Sequence, residues 1–295
     1  MKPAPFEYHA PATPDEAVGL LSELGDGAKV LAGGQSLVPM LALRLAVFDH
    51  LVDLRRVEGI RGIERHNGAL RIGSATTQAA IERSEDVAAA VPLLARATPL
   101  IGHFQIRNRG TIGGSLAHAD PAAEYPAVAL ALDADMEILS PDGTRSVPAA
   151  DFFTGLWTTA VGDGDLLTAV TFPVWEGRCG FAVDEVARRH GDFALAGACV
   201  AVGLDGAGRV ERCAIGLFGL GPVPLRARAA EAAAIGAAAD DVVPDELGRA
   251  ATEDLSEVPA DLHAPADYRR RVGAVMVARA WRRAVEEAHE EADGG

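Results

Sequence analysis

Cysteine is scarce in this sequence, and its three cysteines, Cys179, Cys199 and Cys213, stand far apart. They form no C-x-x-C pair, and no H-E-x-x-H segment occurs. Structural zinc and iron–sulfur sites need such clusters, so the sequence predicts no metal ligands in this chain and places any metal chemistry on another one. We interpret the cysteines as free structural thiols in a reducing compartment.

Other absences narrow the class of protein further. The sequence has no G-x-S-x-G nucleophile motif and no Walker lysine, which argues against a self-sufficient hydrolytic site. It also lacks an apolar run long enough to span a bilayer, and residues 1–5 do not show the charged-then-apolar pattern of a secretory signal. We therefore expect a cytoplasmic protein without a membrane span.

Basic residues are outnumbered, with 27 Lys and Arg against 42 Asp and Glu and a formal net charge of −15. Nucleic acids and anionic membranes are bound through cationic patches, so neither is an expected partner. The chain has 295 residues, 49% of them hydrophobic, which is enough to bury a large core in about two domains.

Two glycine pairs organise the sequence. Residues 32–36 (AGGQS) follow the apolar residues 29–31, and residues 111–115 (TIGGS) follow residues 106–110. Paired glycines tolerate positive φ, so successive backbone N–H groups can converge on an anion. Two such nests suit a ligand with two phosphates, such as the pyrophosphate of a dinucleotide, whereas two tight turns are the alternative interpretation. The first pair lacks the third glycine of a Rossmann fingerprint.

Periodicity and turn residues predict an order of elements. A helix capped by Thr13 and ended by Gly25, a strand before the first glycine pair and another at 51–54 indicate a small α/β subdomain. An Asn67-Gly68 hairpin opens a second unit. Further elements are expected as helices at 77–83, 91–97 and 121–132, strands at 136–139, 166–172, 179–187, 196–204 and 210–218, and helices at 226–238, 245–252 and 265–289.

Four segments carry a family resemblance. Residues 30–40 and 105–115, followed by 119–124 (ADPAAE), resemble the two flavin-binding loops of the FAD-binding medium subunits of molybdenum hydroxylases, of the aerobic carbon monoxide dehydrogenase and xanthine dehydrogenase type. Residues 188–194 (RRHGDFA) resemble that family's junction into its C-terminal domain.

The resemblance implies an α+β fold. A two-subdomain FAD-binding domain, similar to vanillyl-alcohol oxidase (PCMH type), would span residues 1–175, with subdomains of about 1–58 and 59–175. A C-terminal domain of CO-dehydrogenase flavoprotein type would span 176–295, with a three-stranded antiparallel sheet and a helical bundle.

The same resemblance implies a set of cofactor-binding residues and no catalytic residue. The two loops would hold the FAD pyrophosphate through backbone N–H groups, Glu124 would accept hydrogen bonds from a ribose hydroxyl, and Phe193 would lie against the isoalloxazine ring. For Glu124 and Asp120, a helix-capping role is the alternative; for Phe193, it is a place in the core. The complete set is Ala32, Gly33, Gly34, Gln35, Ser36, Ile101, Thr111, Gly113, Gly114, Ser115, Asp120, Glu124, Leu167 and Phe193.

Two histidines, His103 and His118, flank the second loop and are interpreted as hydrogen-bonded structural groups. Related flavin oxidases often tether FAD through a histidine after the glycine pair. This chain has Gln35 there, so noncovalent FAD is expected. Some members of the family carry a basic residue before the paired arginines, where this chain has Asp184 and Glu185.

Three functions remain open at this stage. The first is an electron-transfer flavoprotein subunit, with molybdopterin on a large partner subunit, 2Fe-2S clusters on a small one, and assembly as a dimer of heterotrimers. The second is a stand-alone FAD-dependent oxidase or dehydrogenase of a small organic substrate. The third is a non-catalytic assembly module that keeps the loops for structural reasons.

Overall fold

A computed structural model describes residues 2–293 and arranges them around three larger sheets and a two-stranded sheet formed by Phe153–Gly155 and Thr158–Thr159. The strands are β1 (Glu7–His9), β2 (Ala28–Leu31), β3 (His50–Asp53), β4 (Ile63–His66), β5 (Ala69–Gly73), β6 (Asp135–Ser140), β7 (Gly143–Pro148), β8 (Phe153–Gly155), β9 (Thr158–Thr159), β10 (Leu166–Pro173), β11 (Arg178–Ala187), β12 (Ala194–Leu204), β13 (Val210–Phe218) and β14 (Leu225–Arg226). The α-helices are α1 (Pro14–Leu24), α2 (Leu37–Leu43), α3 (Gln78–Glu82), α4 (Glu85–Ala90), α5 (Pro92–Ala97), α6 (Phe104–Arg107), α7 (Ile112–His118), α8 (Glu124–Ala131), α9 (Ala149–Phe152), α10 (Arg228–Ala234), α11 (Pro244–Thr252) and α12 (Ala266–Asp293). No helix in residues 2–293 combines the length and the apolar character that crossing a membrane requires.

The first sheet is parallel, with strand order β1-β3-β2. Helix α1 packs against it and begins as the sequence predicts, because the Thr13 side chain accepts a hydrogen bond from the Glu16 N–H. Gly25, with a φ of 60°, ends α1. The predicted helix and the two predicted strands of this region are confirmed, and the first glycine pair follows directly after β2.

The second sheet is antiparallel, with strand order β4-β5-β10-β6-β7. Its first hairpin turns at Asn67 and Gly68, whose φ values of 48° and 75° are the positive pair that a type I′ turn requires. The Asn-Gly prediction is therefore confirmed. Helices α4 and α7 pack on β5, and α7 also packs on β10 in the middle of the sheet.

Two predicted helices differ from the structure. Residues 85–97 form two helices instead of one at 91–97, because Val91 leaves the helical conformation and Pro92 starts α5. The helix expected at 226–238 is shorter, since Ile235 is extended and Gly236 has a φ of 85°.

The third sheet is antiparallel, with strand order β11-β12-β13-β14. Its three long strands are those predicted, and the two-residue β14 adds a fourth. The long helix α12 lies across β11 and β12, and α11 packs on α12. The C-terminal region is thus a sheet covered by helices, as the resemblance implies.

One hydrophobic core joins the second and third sheets. Leu70 and Val170 from the second sheet belong to the same buried cluster as Cys199 and Phe218 from the third. Helix α8 packs on the third sheet and against α5, α7 and α9, and it is buried along its whole length. Two smaller clusters lie beneath the first sheet and beneath α12.

A charged network also links these two parts of the chain. The Arg226 side chain, on β14, is largely buried. Its guanidinium donates to Glu231 at 2.6 Å and to Asp133, which follows α8, at 2.7 Å. It also donates to the Leu130 carbonyl at 3.1 Å. Glu231 in turn accepts a hydrogen bond from the Ile215 N–H at 2.8 Å. Arg226 therefore neutralises a buried carboxylate and ties β14 to the end of α8.

We expect Arg226→Met to lower the free energy of unfolding by about 3–5 kcal/mol, because it leaves the Glu231 carboxylate buried without its cation. Chemical denaturation monitored by circular dichroism measures the change. Arg228→Met is the matched control, since the Arg228 side chain is 61% exposed and only approaches Asp133 at 3.6 Å. Equal destabilisation by the two variants would contradict this account.

Candidate functional site

The first glycine loop, residues 32–36, connects β2 to α2. Gly34 has a φ of 72°, and a Cβ at this position would lie 3.0 Å from Val38 Cγ2 and 3.2 Å from Leu31 Cδ1. The Gln35 side chain donates to the Gly33 carbonyl at 2.9 Å, which holds the loop's own backbone. The loop therefore needs glycine at position 34 for both conformation and space.

This loop leaves a run of backbone donors available. Among the described residues, the N–H groups of residues 33–37 donate to no protein acceptor, and the next hydrogen bond runs from the Val38 N–H to the Gly34 carbonyl. The loop is only partly buried, so these groups can reach a ligand from solvent. A run of free N–H groups beside a positive-φ glycine is an anion-binding arrangement.

The second glycine pair differs from the predicted nest. Gly113 and Gly114 lie in the first turn of α7, which Thr111 caps by accepting the Gly114 N–H at 3.0 Å. The Gly113 N–H donates to the Ser74 carbonyl at 2.8 Å, and the Ser115 N–H donates to the Thr111 carbonyl. Neither glycine has a positive φ. The expectation that this loop presents free N–H groups is wrong, because the cap and Ser74 already accept them.

The second pair is required for close packing instead. A Cβ on Gly113 would overlap the Ser74 side chain and lie 2.7 Å from its carbonyl oxygen. A Cβ on Gly114 would lie 3.2 Å from the Ala32 Cβ, in the first loop. The hydroxyls of Thr111 and Ser115 are the polar side-chain groups that this segment offers.

The two loops lie against each other. A Cβ on Gly33 would overlap the Arg109 carbonyl and lie 2.7 Å from the Gly110 Cα, directly before the second pair. Gly114 approaches the first loop from the same segment, with its ideal Cβ position 3.9 Å from the Gly33 nitrogen. The available N–H groups of the first loop therefore stand at the junction of the two segments, where one ligand can touch both.

Arg107 fixes the segment before the second pair. Its side chain is only 11% exposed and forms an ion pair with Glu82 at 2.9 Å. It also donates to the carbonyls of Ile101 and Gly102 at 3.1 and 3.2 Å. Arg107 belongs to the motif at 105–115, but the motif alone does not indicate this role. The Ile101 side chain, a predicted ligand contact, packs on the main core.

His118 is the last residue of α7, and Asp120 follows the helix. Asp120 accepts the Ala122 N–H at 2.9 Å, which stabilises a turn before α8, whereas the N-cap of that helix is Ala123. Burial lowers the pKa of His118, the nearby Lys29 lowers it further, and Asp120 opposes the shift. Its surroundings at the end of α7 therefore favour the neutral imidazole.

Glu124 is the first residue of α8 and is buried. Burial raises its pKa to about 8, and the charges of Glu185 and Asp120 act in the same direction. Glu185 lies on β11, and burial raises its pKa to about 7. Glu185 was not predicted as a site residue, because its effect on Glu124 depends on the tertiary packing of residues 61 positions apart.

The last two predicted residues lie in different surroundings. Leu167 is buried in the main core. It lies on β10 next to a bulge, where the register of β10 with β6 shifts between Leu167 and Ala169. Phe193 is 63% exposed in the turn between β11 and β12. That turn packs against the segment before the second pair, since a Cβ on Gly191 would lie 2.9 Å from the Gly102 carbonyl group and 3.1 Å from the His103 ring. Phe193 thus stands beside the second segment with its ring accessible, not in the core.

Two surface cavities of about 300 and 420 Å³ lie elsewhere, in the C-terminal region. Trp175, Arg178 and Arg212 line the first, and Arg249, Arg270 and Val275 line the second. None of the predicted site residues lines either cavity. The glycine loops instead form an open junction between subdomains, which suits an extended ligand better than an enclosed one.

Comparison with known proteins settles the family. A family model described as the FAD binding domain in molybdopterin dehydrogenase matches residues 4–175, and the CO dehydrogenase flavoprotein C-terminal domain matches residues 181–284. The chain belongs to the FAD-binding medium subunits of the molybdenum hydroxylases. It is therefore an oxidoreductase subunit, and FAD is the cofactor of its family.

Relatives of this family match nearly the whole chain. The 6-hydroxypseudooxynicotine dehydrogenase complex subunit alpha of Paenarthrobacter nicotinovorans is 39% identical over 288 residues, covering 98% of this chain and 97% of the relative. The carbon monoxide dehydrogenase medium chain of Afipia carboxidovorans is 39% identical over 284 residues, covering 96% and 98%. The solved carbon monoxide dehydrogenase of Hydrogenophaga pseudoflava, a form lacking the Mo-pyranopterin moiety, matches with a TM-score of 0.93 at 40% identity, over 97% of this chain and 99% of the other.

Proposed function

We propose that this medium subunit transfers electrons within a heterotrimeric molybdenum hydroxylase, from iron–sulfur clusters of a partner subunit through noncovalent FAD to an external acceptor. The observation that carries the proposal is the contact of Gly33 with Arg109 and Gly110, which joins the free N–H groups of residues 33–37 to the second segment. This junction fits a pyrophosphate, because it supplies several donors and no carboxylate from the first loop.

The proposed cofactor-binding residues have distinct tasks. Residues 33–36 would hold the pyrophosphate through N–H groups, and Thr111 and Ser115 would add hydroxyl donors from the other segment. Glu124, which keeps its proton near neutral pH, would meet a ribose hydroxyl without placing a full charge near the phosphates. Phe193 would cover one ring face and limit access to it. The remaining proposed contacts are Ala32, Gly113, Gly114, Ile101, Asp120 and Leu167.

FAD supplies the two-electron redox chemistry, so the chain itself needs no acid–base pair. Its residues bind the cofactor, orient it and exclude water from part of it. We propose a domain division at residues 175 and 176, a large molybdopterin subunit and a small 2Fe-2S subunit as partners, a dimer of heterotrimers, and a cytoplasmic location. The medium chains and complex subunits among the relatives support such an assembly.

Titration of the purified full chain with FAD, followed by quenching of flavin fluorescence, tests the proposal. We expect one FAD per chain, reduction of the bound flavin by dithionite and reoxidation by an added acceptor. We expect no turnover of a panel of small alcohols and amines by the chain alone. Native copurification should recover two further chains, with molybdenum and iron.

Three results would overturn the proposal. Folded protein that takes up no FAD would contradict cofactor binding. Turnover of an alcohol or amine by the isolated chain would favour the stand-alone oxidase. A flavin-free chain that binds two metal-containing partners tightly would favour an assembly module.

A further inference from the structure

Three side chains with metal-binding atoms meet on the first sheet, away from the glycine loops. Glu7 and His9 lie on β1, and Glu7 pairs in register with His50 on the neighbouring parallel strand β3. Alternation along β1 puts Glu7 and His9 on one face, while Tyr8 points to the other and donates to Asp53. The strand pairing therefore brings together three residues from positions up to 43 apart in the sequence.

The distances among these atoms match a metal site. His9 Nε2 lies 3.2 Å from His50 Nδ1, and His50 Nδ1 lies 3.4 Å from Glu7 Oε2. All three ligand atoms lie within 4.8 Å of one another. A tetrahedral ion with bonds of about 2.0–2.1 Å separates its ligand atoms by about 3.3–3.4 Å. The separations of His50 Nδ1 from His9 Nε2 (3.2 Å) and from Glu7 Oε2 (3.4 Å) are close to that value.

The chemistry of the three groups selects the kind of ion. Two imidazole nitrogens and one carboxylate oxygen suit zinc and similar divalent transition metals, whereas magnesium and calcium prefer oxygen ligands alone. Without an ion, one of the two facing imidazole nitrogens carries a hydrogen and donates a hydrogen bond to the other. The Glu7 side chain is 75% exposed and that of His50 23% exposed, so an ion can enter from solvent and keep a water molecule as its fourth ligand.

We propose that Glu7, His9 and His50 bind one divalent transition-metal ion, with Zn²⁺ as the expected metal, and that the ion fastens β1 to β3. Strand β1 has only three residues, so a cross-link of this kind adds substantially to its attachment. Along β2, Ala28 pairs with His50 and Leu31 precedes the first glycine loop, so the ion would lie at least about 10 Å from that loop, at the other end of the strands. The site is structural and separate from flavin binding.

A competition titration of the full, tag-free chain with Zn²⁺ and a chromophoric chelator tests the site. We expect one Zn²⁺ per chain, and a loss of affinity of at least about tenfold in the double variant His9→Gln, His50→Gln. Zinc should raise the melting temperature of the unsubstituted chain but not that of the variant. Co²⁺ in place of zinc should give the visible absorption of a tetrahedral site.

His66→Gln is the matched control, because His66 lies on the exposed hairpin between β4 and β5 and contacts Asn67 rather than the cluster. It should bind zinc as the unsubstituted chain does. If the double variant does not fold, Glu7→Gln replaces it, since that side chain is largely exposed. An absence of stoichiometric binding, or unchanged affinity in the folded cluster variants, would overturn the proposal.

Discussion

Replacing Gly33 with alanine should weaken FAD binding by at least about a hundredfold, which corresponds to about 2.7 kcal/mol. The added Cβ would overlap the Arg109 carbonyl and lie 2.7 Å from the Gly110 Cα. Both obstacles are backbone atoms, so the two loops must separate and the available N–H groups of residues 33–37 lose their place beside the second segment. Fluorescence titration with FAD measures the loss.

Gly19→Ala is the matched control for this substitution. Gly19 lies within α1, and a Cβ there meets nothing within 4 Å, so the variant should bind FAD normally and be slightly more stable. Circular dichroism at low temperature establishes that Gly33→Ala is folded when its affinity is measured. Normal FAD affinity in a folded Gly33→Ala protein would show that the loop contact does not shape the site.

The second large effect concerns pH and Glu124. Burial raises the folded-state pKa of this carboxyl to about 8, against about 4.5 in the unfolded chain, so the folded protein binds the extra proton between these values. Stability in the absence of ligand should therefore fall as pH rises from about 4.5 to 8, by as much as about 4 kcal/mol. Glu185, with a pKa raised to about 7, adds a smaller loss in the same direction because it is more exposed.

Glu124→Gln should remove most of this dependence, because the amide keeps the size of the protonated acid and does not ionise. Denaturation in urea at several pH values between 4.5 and 8.5 measures the slope. Glu23→Gln makes the same chemical change on the exposed face of α1 and should leave the slope unchanged. An identical slope in Glu124→Gln and the unsubstituted chain would mean that Glu124 titrates as an exposed acid does.

Local signals in the sequence were sufficient for much of the fold. Thr13 and Gly25 mark the ends of α1, and Asn67-Gly68 marks the first hairpin, because each acts through its own backbone or that of its near neighbours. The first glycine pair was interpreted as a loop for the same reason. The second pair was misinterpreted, since its glycines are required by Ser74 and the first loop, which the local sequence does not reveal.

Interactions that the sequence did not reveal, at the glycine loops and in the Glu7-His9-His50 cluster, depend on residues far apart along the chain. Arg107 forms an ion pair with Glu82, which lies 25 residues earlier in the sequence. The charge of Glu185 acts on Glu124 from a position 61 residues away in the sequence, and His9 meets His50 through a strand pairing 41 residues apart. Closely spaced ligand motifs could not point to this cluster, because parallel strands bring such side chains together without leaving a short motif.

The buried helix α8 has a consequence for how this subunit can be divided. It contributes to the same apolar cluster as strands from both family domains, so cutting the chain near residue 175 would expose that surface on each fragment. The boundary between the two family domains therefore does not divide the chain into two units that fold independently. We expect the flavin-binding and C-terminal regions to unfold in one cooperative transition. A destabilising substitution in the C-terminal region should then also lower the stability of the flavin-binding region.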